Sequence, residues 1–179
     1  KRVLITHGHS DHGGLAGWLG ELGAQVILHE QEAVRLQEQD FLARRGPMFL
    51  AAGLPSQIIN QLAPISDKMT CFNSELEHFL LLTGGDTIPF ENHTLEVLAT
   101  PGHSGGHLAF YEPEGGILFA GDTLLEHISP NPFPEPDSAH PSGRSISLQH
   151  FLNSLNHLKE LPVDTVYPGH GKPFTEMKQ

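Results

Sequence analysis

The sequence predicts an α/β layered domain, and three observations carry that prediction. Short apolar runs such as Val3-Leu4-Ile5 and Val26-Ile27-Leu28 alternate with segments of helical period. Histidine-bearing turns rich in glycine recur directly after such runs, following Thr6, Thr100 and Tyr167. A length of 179 residues accommodates one domain with a sizeable core, so residues 1–179 are read as that domain.

Taken in order, Arg2–Thr6 reads as a buried strand, and the histidine-rich segment Thr6–Gly14 follows it. Leu15, Trp18, Leu19 and Leu22 recur at helical spacing before Gly23, a helix stop, and Trp18 is expected to pack. Val26–Leu28 is a second strand, and a helix is expected from about Glu30 to Leu42. From Arg44 to Leu82 the prolines at 47, 55 and 64 punctuate short helical pieces, Ser56–Leu62 and Glu75–Leu82 among them. No strand pattern stands out there, and 44–82 reads as a helical insertion too small to own a core. Ile88–Phe90 with Thr94–Ala99, and Leu108–Tyr111 with Gly116–Ala120, read as two strand pairs. After a loop rich in proline and asparagine, Ser147–Leu161 is a helix with Leu148, Phe151, Leu152, Leu155 and Leu158 as its apolar face. Val163–Tyr167 is the last strand.

Charge and cysteine content exclude several functions. Ten basic against 21 acidic side chains give a formal charge of -11, which opposes loose association with nucleic acid or an anionic membrane. The single cysteine, Cys71, allows neither an intrachain disulfide nor a cysteine-rich zinc site. With no secretory pattern and no apolar run near the roughly 18 residues of a membrane span, a cytoplasmic location is expected.

Thr6-His7-Gly8-His9-Ser10-Asp11-His12 places three imidazoles and a carboxylate within six residues, a density that neither packing nor a solvated face explains. His7 and His9, two apart on extended backbone, project to the same side, whereas the adjacent Asp11 and His12 diverge, which suggests a second ion. Three later segments supply further donors just after a strand: His103, Asp122 and His170. Strand ends on one edge of a sheet converge on a common crevice. Imidazole with carboxylate suits Zn²⁺, with iron and manganese as competitors. A mononuclear catalytic site uses about three protein ligands, so seven candidates fit two divalent ions sharing a carboxylate better than one.

These motifs resemble those of the metallo-β-lactamase-fold hydrolase superfamily. Its hallmark H-x-H-x-D-H is matched by His7, His9, Asp11 and His12, followed in order by His103, Asp122 and His170. Ala99–His107, Gly121–Leu124 and Tyr167–Gly171 look like the corresponding family stretches, and the resemblance covers nearly the whole chain. It implies an αββα sandwich in which His7, His9 and His103 hold one ion, Asp11, His12 and His170 a second, and Asp122 bridges. In the family several strands precede the first histidine motif. Only a few residues do so here, so those N-terminal strands are expected to be lacking and the sheet face they cover to be exposed.

The resemblance further implies a metal-dependent hydrolase that uses a metal-bridging hydroxide on a small ester, thioester or lactone, with Asp11 orienting the water and accepting its proton. Aspartate at 122 is similar to the glyoxalase II and ribonuclease branches, whereas the zinc β-lactamases often carry cysteine there. The alternatives are a phosphodiesterase or ribonuclease of the same superfamily, disfavoured by the ten scattered basic residues, and a non-catalytic metal-binding homologue. The expected partner is a small-molecule substrate. His107 and Ser104 are expected to brace ligand loops by hydrogen bonding rather than to ligate, and His127, Asn131 and Arg144 are candidate substrate contacts. His29 sits near the site or in a solvated turn, and His78, His93, His150 and His157 are assigned to surface or packing.

Overall fold

A computed structural model describes residues 1–37, 41–70, 75–137 and 143–175. Cys71 lies outside the described residues. Two sheets form the inner layers. The first is parallel, in the order β1 (Arg2–Leu4), β2 (Gln25–Leu28), β3 (Phe79–Leu81). The second holds β4 (Thr87–Phe90), β5 (His93–Ala99), β6 (Leu108–Glu112), β7 (Ile117–Gly121) and β8 (Thr165–Pro168) in sequence order. Its pairs are antiparallel except β7–β8, which runs parallel because α6 (Ser147–Lys159) carries the chain back between them.

Helices α1 (Ser10–Gly13), α2 (Ala16–Glu21) and α3 (Glu30–Leu36) connect the first sheet, and α4 (Phe41–Ala51) and α5 (Ser56–Thr70) precede β3. Three apolar clusters mark the layers. Ile5, Ala16, Val26, Leu28, Ala33 and Leu36 join α2 and α3 to the first sheet. Leu4 and Leu82 meet Ile88, Val97, Leu108 and Phe110 between the sheets. Leu98, Ala109, Leu118, Ala120 and Val166 take Leu158 of α6 on the outer face of the second. The order of layers is helix, sheet, sheet, helix, as the sequence implied.

The strands match the sequence expectation except at one place. Glu75–Leu82, expected as helix, contains β3 instead, so the region 44–82 is not wholly helical. Phe79, Leu80 and Leu81 pair with Val26, Ile27 and Leu28, and that parallel ladder overrides a local helical pattern.

Helix faces differ more. Leu15, Trp18 and Leu22 are exposed, and α2 buries Ala16 and Gly17 instead, small residues that bring its backbone close to β2. Trp18 is therefore not core packing. On α6 the buried stripe is Ser147, Phe151, Ser154 and Leu158, while Leu148 and Leu152 face outward. The two serines hold loops: Ser147 Oγ donates to Phe133 O at 2.9 Å and Ser154 Oγ to Pro101 O at 2.8 Å. Helix α6 thus ties down the turn that carries His103.

Residues Val97, Phe110, Phe119 and Tyr167 are successive partners across β5–β8 and so share the inter-sheet face. Val97 and Phe110 are buried there, yet Phe119 and Tyr167 are 40% and 42% exposed and stack on each other at 5.3 Å. That face is thus buried at Val97 and Phe110 and open at Phe119 and Tyr167.

Candidate metal centre

Every candidate ligand sits just past the C-terminal end of a strand: His7, His9, Asp11 and His12 after β1, His103 after β5, Asp122 after β7, His170 after β8. The two sheets are stitched together at this edge, where Leu108 N donates to Thr6 O at 2.8 Å. Gly121 takes φ +50 at the end of β7, and a Cβ there would meet His107 Nε2 at 2.7 Å and Thr6 Cβ at 2.9 Å, so only glycine lets the chain turn Asp122 inward. Gly169 is needed for space instead. A Cβ on it would collide with Asp122 Oδ1 and lie 2.7 Å from His12 Cε1.

Seven side chains converge in two sets. In the inner set His9 Nδ1 lies 2.8 Å from His7 Nε2 and 2.9 Å from His103 Nε2. In the outer set Asp11 Oδ2 lies 3.6 Å from His12 Nε2 and 3.3 Å from His170 Nε2, and the two imidazoles are 3.1 Å apart. Asp11 therefore borders only the outer set, whereas His12 also reaches the inner one: its ring centroid lies 4.2 Å from that of His7, and His7, His12 and Asp122 form a third group that could hold an ion. Asp122 stands between the sets. Its Oδ2 is 3.5 Å from both His103 and His170 and 3.9 Å from His7, and its Oδ1 is 3.5 Å from His12.

The outward nitrogens are fixed by neighbours. His103 Nδ1 donates to Asn131 O at 3.1 Å, which leaves Nε2 a free lone pair facing inward. Arg35 Nη2 lies 2.8 Å from His9 Nε2, so Nδ1 is the nitrogen turned to the cluster. His107 is fully sequestered: Asp122 N donates to its Nε2 at 3.1 Å, which puts the ring proton on Nδ1 beside Thr100 Oγ1 (2.7 Å) and Thr123 Oγ1 (3.1 Å). That is a brace beneath Asp122, with no nitrogen left to ligate.

Electrostatics separate the two sets. Burial, reinforced by neighbouring imidazoles, drives the His7 pKa far below the usual histidine range. Burial and the Arg35 charge push His9 down to about 2, and burial also lowers His103. For His12 burial pulls downward, but the Asp122 carboxylate, whose Oδ1 stands 3.5 Å from Nε2, outweighs it and raises the pKa. Burial works to raise Asp122, yet the neighbouring His12, with the charges of His103 and His170, holds it below the ordinary carboxylate value.

Two features test whether these residues fit cations. Asp122 Oδ1 is buried without a hydrogen-bond partner, a cost that a bound ion would remove. Neutral imidazole nitrogens also face one another at hydrogen-bond distance, where lone pairs repel unless a proton or cation lies between. Nitrogen and oxygen donors without sulfur suit zinc, iron or manganese. The residues fit. A further group that could hold an ion, His93, Glu112 and Glu114, lies at the far end of the second sheet, where the Glu112 carboxylate already accepts Glu114 and Gly115 N–H.

The candidate substrate contacts stand in different settings. His127 is exposed and pairs with Glu126 at 3.1 Å, and Asn131 reaches the cluster through its backbone carbonyl rather than its side chain. Arg144 lines a cleft of about 610 Å³ with Arg44, Pro47 and Met48, apart from the histidines. Ser104 is buried on the His103 loop, but its Oγ makes no hydrogen bond among the described residues, so the expected brace is formed by His107 alone of the two. His29 caps α3, its Nδ1 accepting Gln31 N–H at 3.2 Å, and packs against Gly106. Four charged residues carry no signal in the sequence: Glu32, Arg35, Arg45 and Glu135. Arg35 bonds both His9 and Glu135, Arg45 is buried 3.4 Å from Glu135, and Glu135 Oε2 accepts Gly105 N–H at 3.0 Å. Each looks in sequence like an ordinary helix or loop charge.

An αββα sandwich with these donors in this order defines a class, and comparison with known proteins places the chain in it. The family model described as the metallo-beta-lactamase superfamily matches residues 1–170, and the chain belongs to that superfamily. It is 28% identical over 185 residues to the probable metallo-hydrolase YqjP of Bacillus subtilis, covering 99% of this chain and 56% of the relative. A hydroxyacylglutathione hydrolase of Thermosynechococcus vestitus is 37% identical over 91 residues, 50% of this chain and 31% of that protein. The crystal structure of the metallo-beta-lactamase family protein TTHA1429 from Thermus thermophilus superposes with a TM-score of 0.83 at 35% identity, over 98% of this chain and 56% of that one. The chain thus spans about half the length of the full-length relatives it matches end to end. No helix among the described residues is long and apolar enough to cross a membrane.

Proposed function

We propose that this chain forms the centre of a dinuclear metal-dependent hydrolase acting on a small ester, thioester or lactone. The observation that carries the reading is Asp122: one buried carboxylate, with an orphaned oxygen, shared between two donor sets. His7, His9 and His103 would hold one divalent ion, Asp11, His12 and His170 the other, and Asp122 both. Zinc is the proposed metal, with iron and manganese as competitors. When bound, such a pair supplies Lewis acidity and brings the pKa of water from 15.7 toward about 7.

The chain's own residues do the rest. The Asp11 carboxylate, 57% exposed, borders the cluster, and the oxygen not holding an ion would orient the attacking water and accept its proton. His107 holds the backbone at Asp122, and α6, through Ser154, holds the turn before His103. Likeness to a hydroxyacylglutathione hydrolase over half of the chain supports a thioester. The substrate partner is a small molecule, and a cytoplasmic setting fits a chain whose single cysteine forms no internal disulfide.

The test is a panel of thioesters, lactones, phosphodiesters and β-lactams with metal-loaded protein. Thioester or lactone turnover that disappears with chelation is expected. Turnover of phosphodiesters alone would replace this reading with the nuclease-like one, and no turnover of any class would leave a metal-binding homologue.

A further inference from the structure

We propose that Glu32 is a positioning residue that sets the spacing of the two loops supplying the inner donor set. Its side chain is 1% exposed and spends both oxygens on backbone amides: Oε2 accepts Gly8 N–H at 2.7 Å and Oε1 accepts Gly106 N–H at 2.8 Å. Gly8 lies between His7 and His9. Gly106 lies in the loop that begins at His103 and ends at His107, the brace under Asp122. One carboxylate on α3 therefore indexes three imidazoles from two sequence-distant loops, 24 and 74 residues from Glu32.

The fit around it is tight. A Cβ on Gly8 would stand 2.7 Å from Glu32 O and 3.2 Å from its Oε2, and one on Gly106 would stand 3.0 Å from its Oε1 and overlap His29 Nδ1. Both loops are thus seated against α3 without side chains. Three residues along, on the same face, Arg35 reaches His9 Nε2 and Glu135, whose Oε2 takes Gly105 N–H, the neighbouring amide. Two carboxylates on consecutive amides, with a guanidinium near both, hold the His103 loop from two sides. A carboxylate is required at 32 because two N–H donors approach it from opposite loops. An amide of the same shape would turn its own NH₂ against one of them.

This inference rests on reading His7, His9 and His103 as ligands of one ion, and the experiment separates the two. Glu32→Gln is compared with wild type for metal affinity by chelator competition and for the d–d spectrum of the Co²⁺-loaded protein, with His103→Ala as a control. The expected result is a loss of about 10–100-fold at the inner set, larger than any loss at the outer set, with a changed Co²⁺ spectrum. Wild-type affinity and spectrum in Glu32→Gln would overturn the role of Glu32 alone. Wild type that takes up no metal, or is indifferent to His103→Ala, would overturn the ligand reading and this inference with it. Should Glu32→Gln not fold, hydrogen exchange on metal-free wild type decides: Gly8 and Gly106 amides are expected to be protected before any ion binds. Free exchange at either contradicts the clamp.

Discussion

The inner and outer donor sets meet at Asp122 and at the His7–His12 ring contact, and they differ in burial and charge. At the strand ends His7 is fully buried and His9 and His103 partly so, and burial lowers the pKa of all three, while Arg35 and Asn131 O orient His9 and His103. Asp11 and His170 have side chains 57% and 51% exposed, and His12 is held toward its protonated form by Asp122. One half of the centre is therefore built in advance of any ion, and the other must lose a proton and order exposed side chains to complete itself. That asymmetry suits the proposed hydrolysis, in which a fixed half would anchor and an open half would admit substrate and water.

Removing the shared residue should have the largest effect. Asp122→Ala is expected to abolish binding of both ions and to cut turnover more than about a thousandfold, read by elemental analysis and kinetics together. Next come single-set losses. His103→Ala and His170→Ala should each retain about one ion per chain, but the ion left in His103→Ala should be the acid-labile one. Equal acid sensitivity in the two variants would erase the distinction between the sets.

A smaller effect follows from protonation. Ligating imidazole must be neutral, so metal competes with protons wherever the metal-free pKa is raised. As pH falls below neutrality, outer-set affinity should drop by up to about tenfold per unit once His12 holds its proton, while the inner set, with His7 and His9 far below the usual range, stays flat. Two parallel pH curves would contradict this. Smallest for the site is a change far from it: Leu158→Ala, in the fully buried α6 contact, should destabilise by about 2–5 kcal/mol in denaturant unfolding yet leave metal stoichiometry at its wild-type value.

The sequence displays its donors and hides their supports for one physical reason. Thr6–Gly14 is dense because four donors come from one turn, and His103, Asp122 and His170 each follow a strand that local alternation reveals. Glu32 and Glu135 act on glycine amides far along the chain, and a side-chain-to-backbone contact leaves no sequence pattern. Strand β3 is hidden likewise, since its three residues gain their character from β2, about fifty positions earlier. Helices α2 and α6 mislead because burial there falls on Ala16, Gly17, Ser147 and Ser154, which pack closely or hold loops, rather than on the larger leucines.

The most direct measurement is a chelator-competition titration of metal-free protein with Zn²⁺ at two pH values, one neutral and one about two units lower. Two sites per chain are expected, one tight and nearly independent of pH, the other weaker and lost at the lower pH. A single class of equal sites, or fewer than about one ion bound per chain, would contradict the two-set centre.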